Sequence, residues 1–247
     1  MTNMKLEHYV VGPVETNCYL VTNTKTNELI VIDPGEEADM LISKIKASGA
    51  KPAAILLTHA HFDHITGAAA VAGEFGVKIY LHEKDRDTLT DTQMNASWMI
   101  GHPMTYTADI FVKDEQELEI AGFKIRVLFT PGHTPGGCCY YFPYEDVVFT
   151  GDSLFCGSIG RTDFKGGSMS DLVRSVKEKL MSLPDKTAVY PGHSTPGLAW
   201  EALADYCLEH SDELDELAHT GTAWAGYPDD WAAASDELMD ELLGVLL

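Results

Sequence analysis

Thr58-His59-Ala60-His61-Phe62-Asp63-His64 places four ligand-type side chains within six consecutive residues, 59 to 64. The run before it, Ala53-Ala54-Ile55-Leu56-Leu57, is short and apolar and reads as a buried strand. The run after it, from Ile65 to about Phe75, is rich in small helix formers and reads as a helix. The cluster therefore belongs to a strand-to-helix loop, at the end of a rigid element. His59 and His61 are two apart, so an extended or tightly turned loop points both to one side. Asp63 and His64 follow as the chain turns, so one loop can serve two neighbouring ions. The bland alternative is a polar loop whose histidines merely face water, and the density of three His and one Asp weighs against it.

Outward from this stretch, strands dominate the first third. Tyr9-Val10-Val11 and Cys18-Tyr19-Leu20-Val21 are separated by a Gly-Pro turn, and Glu28-Leu29-Ile30-Val31-Ile32 follows a polar turn. Asp33-Pro34-Gly35 stops that strand, with Asp33 either a turn residue or a carboxylate that orients a ligand histidine. A helix is expected from about Glu37 to Ala47, closed by Gly49. Lys78 to Leu81 reads as a short strand and Glu83 to Thr90 as a helical turn. Asp91 to Thr107 shows no clear period, which leaves Trp98, Met99 and Ile100 as exposed-loop or pocket-lining residues. His82 and His102 lack ligand partners at useful spacing and read as ordinary polar residues. Glu117 to Ile120 and Lys124 to Phe129 flank Ala121-Gly122 and suggest a hairpin.

Three later segments repeat one design, an apolar strand followed by a sharp turn that carries a ligand-type residue. Val127-Leu128-Phe129-Thr130 leads into Pro131-Gly132-His133, Val147-Val148-Phe149-Thr150 into Gly151-Asp152-Ser153, and Thr187-Ala188-Val189-Tyr190 into Pro191-Gly192-His193. Any one alone is a turn with a polar tip. Together with the first cluster they give five His and two Asp at the ends of four strands. That total suits two ions with shared ligands better than one closed structural site, which takes four.

Composition bounds the rest. At 247 residues and 45% hydrophobic content, the chain has the length of one large domain with a small appendage. Five scattered cysteines make no disulfide framework and no zinc-ribbon spacing, so any bound metal must rely on histidine and carboxylate. The amino-terminal residues lack an apolar core of signal-peptide length, and no apolar run approaches the roughly 20 residues that span a bilayer. The expectation is a soluble, cytoplasmic protein. The net charge is -21, and residues 201–247 hold thirteen acidic side chains with no Lys or Arg after Lys186. Nucleic acid and anionic membranes need a positive surface and are not expected as partners.

The set His59-Ala60-His61-Phe62-Asp63-His64, His133, Asp152 and His193 resembles the metallo-β-lactamase-fold hydrolases. The likeness extends to Asn17-Cys18-Tyr19-Leu20-Val21, to Val31-Ile32-Asp33-Pro34-Gly35, and to Gly151-Asp152-Ser153-Leu154-Phe155 with Gly160-Arg161-Thr162-Asp163-Phe164. It covers roughly residues 7 to 195 and is nearest the small hydroxyacylglutathione hydrolase (glyoxalase II)-like group. The resemblance implies an α/β fold of the αββα type, a four-layer sandwich of two mixed β-sheets face to face with helices outside. It implies two divalent metal ions, zinc first, with iron or manganese as alternatives. His59, His61 and His133 would hold one ion; Asp63, His64 and His193 would hold the other, and Asp152 would bridge. Asp63 would also orient the attacking hydroxide. Arg161 would support the site or meet a substrate carboxylate, against the alternative of a structural ion pair.

Hydrolysis of a small-molecule thioester is the implied activity. A persulfide dioxygenase with one iron, and a lactonase, are the rivals on the same fold; a non-enzymatic binding protein is the least expected. True β-lactamase activity is not expected without an export signal. The division expected is a catalytic domain of residues 1–197 and an acidic helical extension of residues 198–247. In the extension, helices are read at about Leu198 to Ala218 and Asp229 to Leu246, the second with Trp231, Leu238, Leu242 and Leu246 on one face. This extension is expected to pack on the core or to form a homodimer contact, with a lid carrying Trp224 and Trp231 as the weaker reading. Two departures from the group stand out: the extension has no base to hold glutathione, and Lys165 stands where proline is usual.

Overall fold

Ile30 and Ile32 face one side of their strand, Leu29 and Val31 the other, and all four are buried. A strand covered on both faces is continuously apolar, without the polar alternation of a half-exposed one. In the computed structural model, which describes residues 3–155, 158–193 and 198–199, such strands build two six-stranded sheets. The first holds β1 (Met4–Val11), β2 (Thr16–Asn23), β3 (Glu28–Ile32), β4 (Lys51–Leu56), β5 (Lys78–His82) and β6 (Ile110–Val112), side by side in chain order. Its first two pairings are antiparallel and the other three parallel. The second holds β7 (Glu117–Ile120), β8 (Phe123–Phe129), β9 (Cys138–Phe142), β10 (Val147–Gly151), β11 (Ala188–Pro191) and β12 (Leu198–Ala199), again in chain order. There only β10 and β11 run parallel.

Between the sheets, Tyr19, Val21, Ile30, Ile32 and Leu56 join Phe123, Val127, Tyr140, Phe142 and Phe149 in one buried cluster. Among the described residues the α-helices are α1 (Ala38–Ser48), α2 (Phe62–Ile65), α3 (Ala68–Phe75) and α4 (Met169–Ser175). Leu41 and Ile45 of α1 and Val71 of α3 pack on the outer face of the first sheet, against Leu20, Val31 and Ile55. Leu172 of α4, with Val176 and Leu180 in the wider helical turn that continues it, packs on the second sheet against Leu128, Tyr141 and Val148. The order of layers is helix, sheet, sheet, helix, as the family resemblance implies.

Differences from the expected elements have local causes. The helix expected from Ile65 to Phe75 begins earlier and is broken, because the Gly67 N–H donates to the Gly35 carbonyl at 2.6 Å and ends α2. Residues 91–107 stay irregular apart from a 3₁₀ turn at Ser97–Ile100, and its Trp98, Met99 and Ile100 are exposed. Ala121 and Gly122 both take positive φ (52° and 72°), the two-residue turn that joins β7 to β8. Leu198 and Ala199, where a helix was expected to start, form β12 and pair with Val189 and Ala188. The rest of the reading for residues 200–247, with Trp224, Trp231 and the apolar face, lies outside the described residues. Among the described residues no helix is long and apolar enough to cross a membrane.

Candidate metal centre

Strand direction gathers the turns. β3 and β4 are parallel, so Asp33 and the loop from Thr58 leave at the same end. β8 and β10 both run antiparallel to β9, and β11 runs parallel to β10, so His133, Asp152 and His193 also leave at one end. Cross-sheet bonds bring the two ends together. The Asn17 N–H donates to the Gly192 carbonyl at 2.7 Å, and the Asn17 amide and Tyr19 hydroxyl donate to the Pro191 carbonyl at 2.9 and 2.6 Å. The Cys138 N–H donates to the Thr58 carbonyl at 2.9 Å.

All seven ligand-type residues read from the sequence meet at this edge. The rings of His59, His61 and His133 stand edge-to-face, with centroids 4.8, 4.8 and 4.5 Å apart. Beside them, Asp63 Oδ2 lies 3.3 Å from both His64 Nε2 and His193 Nε2. Asp152 reaches both groups: Oδ2 is 3.3 Å from His133 Nε2 and 3.6 Å from His193 Nε2, while Oδ1 is 3.4 Å from His64 Nε2. Gly192 makes this approach possible, since a Cβ there would lie 2.2 Å from Asp152 Oδ1.

Three of the rings are aimed by their other nitrogen. His64 Nδ1–H donates to Asp33 Oδ2 at 3.0 Å, and Asp33 also accepts from the Thr58 N–H (2.8 Å) and hydroxyl (2.6 Å). His133 Nδ1–H donates to the Arg161 carbonyl at 2.6 Å, and His59 Nδ1 lies 3.1 Å from Thr58 Oγ1. Asp63 Oδ2 accepts from the Thr16 hydroxyl at 2.8 Å. The Arg161 guanidinium pairs with both oxygens of Asp163 (2.6 and 2.5 Å) and lies 4.4 Å from the Phe164 ring centre, and that ring packs 5.0 Å from His61. Thus the structural ion pair weighed for Arg161 is formed, while its carbonyl holds His133.

The residues fit divalent cations. Burial, with neighbouring imidazoles, pushes His59 well below the ordinary histidine pKa and His61 down to about 3, and burial also lowers His133. All three are neutral near pH 7, and their Nε2 atoms are buried without a hydrogen-bond partner. Burial opposes ionisation of Asp63 and Asp152, yet the adjacent imidazoles outweigh it and hold both well below the usual carboxylate range. Those carboxylates in turn raise His64 and His193 against the effect of burial. A cluster this rich in lone pairs draws in protons, and imidazole with carboxylate is a donor set that suits zinc, iron or manganese.

Sequence reasoning assigns no role to Thr16, whose partner lies far along the chain, while Asn17 and Tyr19 stand within the stretch of family likeness without a role read for either. His82 lies apart from the cluster, buried and stacked on Phe129 with centroids 4.4 Å apart, in keeping with its reading as no ligand.

A family model described as the metallo-beta-lactamase superfamily matches residues 11–193. The probable metallo-hydrolase YqgX of Bacillus subtilis (strain 168) is 41% identical over 192 residues, 77% of this chain and 90% of that protein. The hydroxyacylglutathione hydrolase GloC of Haemophilus influenzae is 36% identical over 196 residues, 78% of this chain and 92% of that one. Among solved structures, BLEG-1, titled a B3 metallo-beta-lactamase, superposes with a TM-score of 0.77 at 41% identity, covering 81% of this chain and 97% of its own. TTHA1623 in a di-iron-bound form gives 0.71 at 34% identity, covering 80% and 96%.

Proposed function

The chain belongs to the metallo-beta-lactamase superfamily, and on that premise we propose that this metallo-hydrolase cleaves a small thioester with two divalent ions in the centre. The observation that carries the metal chemistry is the convergence of seven ligand-type residues, three of them neutral histidines with unpartnered Nε2 atoms. The likeness to the hydroxyacylglutathione hydrolase supports the thioester.

His59, His61 and His133 would hold one ion and Asp63, His64 and His193 the other, with Asp152 reaching both. Such ions supply an acidified water as nucleophile and polarise the substrate carbonyl. Asp63 stays ionised and is steadied by Thr16, so its carboxylate can accept a hydrogen bond from the attacking water and orient it. Arg161 serves through its carbonyl on His133, its guanidinium being committed to Asp163. The leaving group is a thiolate. With a thiol pKa near about 8.5 it departs without a dedicated acid, in keeping with a cluster whose carboxylates are held ionised. Zinc is the proposed metal, and the di-iron form of TTHA1623 supports iron as the alternative.

The test joins metal content per chain to hydrolysis of S-lactoylglutathione by wild type and Asp63→Ala. Two ions per chain are expected, with turnover falling about 10²–10⁴-fold in the variant. One iron per chain with oxygen uptake on glutathione persulfide would replace this reading with the dioxygenase. The 41% identity to BLEG-1 favours β-lactam hydrolysis as a second reading, and faster turnover of a chromogenic cephalosporin than of any thioester would reverse the order.

A further inference from the structure

Asp85 follows β5 and is completely buried. Its Oδ2 accepts from the Ala60 N–H at 2.9 Å and the Thr134 hydroxyl at 2.8 Å. Its Oδ1 accepts from the Gly136 N–H at 2.8 Å and the Thr88 hydroxyl at 3.1 Å. Ala60 lies between His59 and His61, and Thr134 follows His133. One carboxylate thus grips both loops that carry the three-histidine group, while Thr88 fixes the carboxylate itself. The contact is close: a Cβ on Gly136 would fall 2.1 Å from the Asp85 backbone nitrogen.

A buried charge is an expensive way to fill space. Burial raises the Asp85 pKa, and the four donors only offset that cost. An apolar side chain of similar size packs as well or better where packing is the sole requirement. Two loops that enter from different sheets, however, need an acceptor with two oxygens and several lone pairs at their junction. Asp85 supplies it, accepting from Ala60 in one loop and from Thr134 and Gly136 in the other.

We propose that Asp85 is a positioning residue for the metal centre, setting the spacing between the His59–His61 loop and the His133 loop by bridging Ala60 to Thr134 and Gly136. The inference concerns cation binding by three histidines and does not depend on the identity of the substrate.

The experiment measures Co(II) affinity by competition with a chromophoric chelator, together with the Co(II) visible spectrum and the melting of the metal-free protein, in Asp85→Asn, Thr134→Val and Thr134→Ser. Asp85→Asn turns an amide NH₂ toward donors, so affinity should fall about 10–100-fold and the visible bands should shift. Thr134→Val should show a smaller loss of the same kind, and Thr134→Ser, which keeps the hydroxyl, should bind as wild type does. Lower melting with unchanged Co(II) affinity and spectrum in Asp85→Asn would overturn the proposal and leave Asp85 a stability residue. Equal weakening in Thr134→Val and Thr134→Ser would overturn it too. If Asp85→Asn does not fold, the Thr134 pair decides by the same readout. Loss of thioesterase activity plays no part in this measurement, so failure of the substrate assignment leaves it standing.

Discussion

His64, His133 and His59 each have one ring nitrogen turned toward an oxygen of the protein and the other turned inward. Committing Nδ1 fixes both tautomer and ring angle, so Nε2 is presented before any cation arrives. Replacing Asp33 by Asn keeps the shape but weakens the grip on His64, and metal affinity should drop about 10–100-fold by chelator competition. His82 gives a separate test. Burial pushes its pKa from 6.5 down to about 4, so the unfolded chain takes up the proton first as pH falls. Stability contributed by neutral His82 is therefore present above pH 6.5 and is lost between there and about 4, on the order of 2 kcal/mol by pH 5. Urea unfolding of His82→Phe should lose less stability than wild type over that range. The seven ligand-type residues were legible because cation chemistry restricts the residue types. Asp33 was legible only as one of two choices, and Thr16 not at all, since its partner Asp63 lies 47 positions away.

At the scale of elements, the recurrent unit is a buried strand that ends in a tight turn. The turn is effective only if its backbone can approach the neighbouring turn, and Gly192 is where that is tested. Gly192→Ala would drive a methyl group into Asp152 and displace His193. Metal affinity should fall at least about tenfold, on the scale seen for residues that orient ligands, with little change in the far-ultraviolet spectrum of the apoprotein. Strands such as β3 and β10 were readable because both faces are covered, leaving an unbroken apolar run. The first half of β1 was not, because on a sheet edge it offers only Met4 and Leu6 between Lys5, Glu7 and His8, an alternation too short to stand out. β6 is three residues long, too short for any pattern. The break between α2 and α3 depends on Gly67 meeting Gly35, a contact between distant segments that no local window contains.

For the molecule as a whole, charge is the dominant long-range property. All 17 basic residues precede residue 187, and the net charge is -21. An anionic thioester must approach against this field, so its kcat/KM should rise several-fold when ionic strength goes from about 10 mM to 150 mM, while a neutral thioester stays flat. A steeper response of the neutral substrate would remove repulsion as the cause. The layer order was legible as soon as the strand-end ligands pointed to a family, whereas the reading of residues 200–247 rested on periodicity and charge alone.

The cluster draws His59, His61, Asp63 and His64 from the first sheet and His133, Asp152 and His193 from the second. A cation seated among them would act as the clasp of a hinged book: the buried cluster between the sheets holds the pages along the spine, while at the open edge bonds from Asn17, Tyr19, Cys138 and Asp85 remain when the clasp is undone. Chelation should therefore quicken amide exchange at Asn17, Cys138 and Gly192 and lower the melting temperature, while the buried strand centres at Ile30 and Phe149 keep their protection.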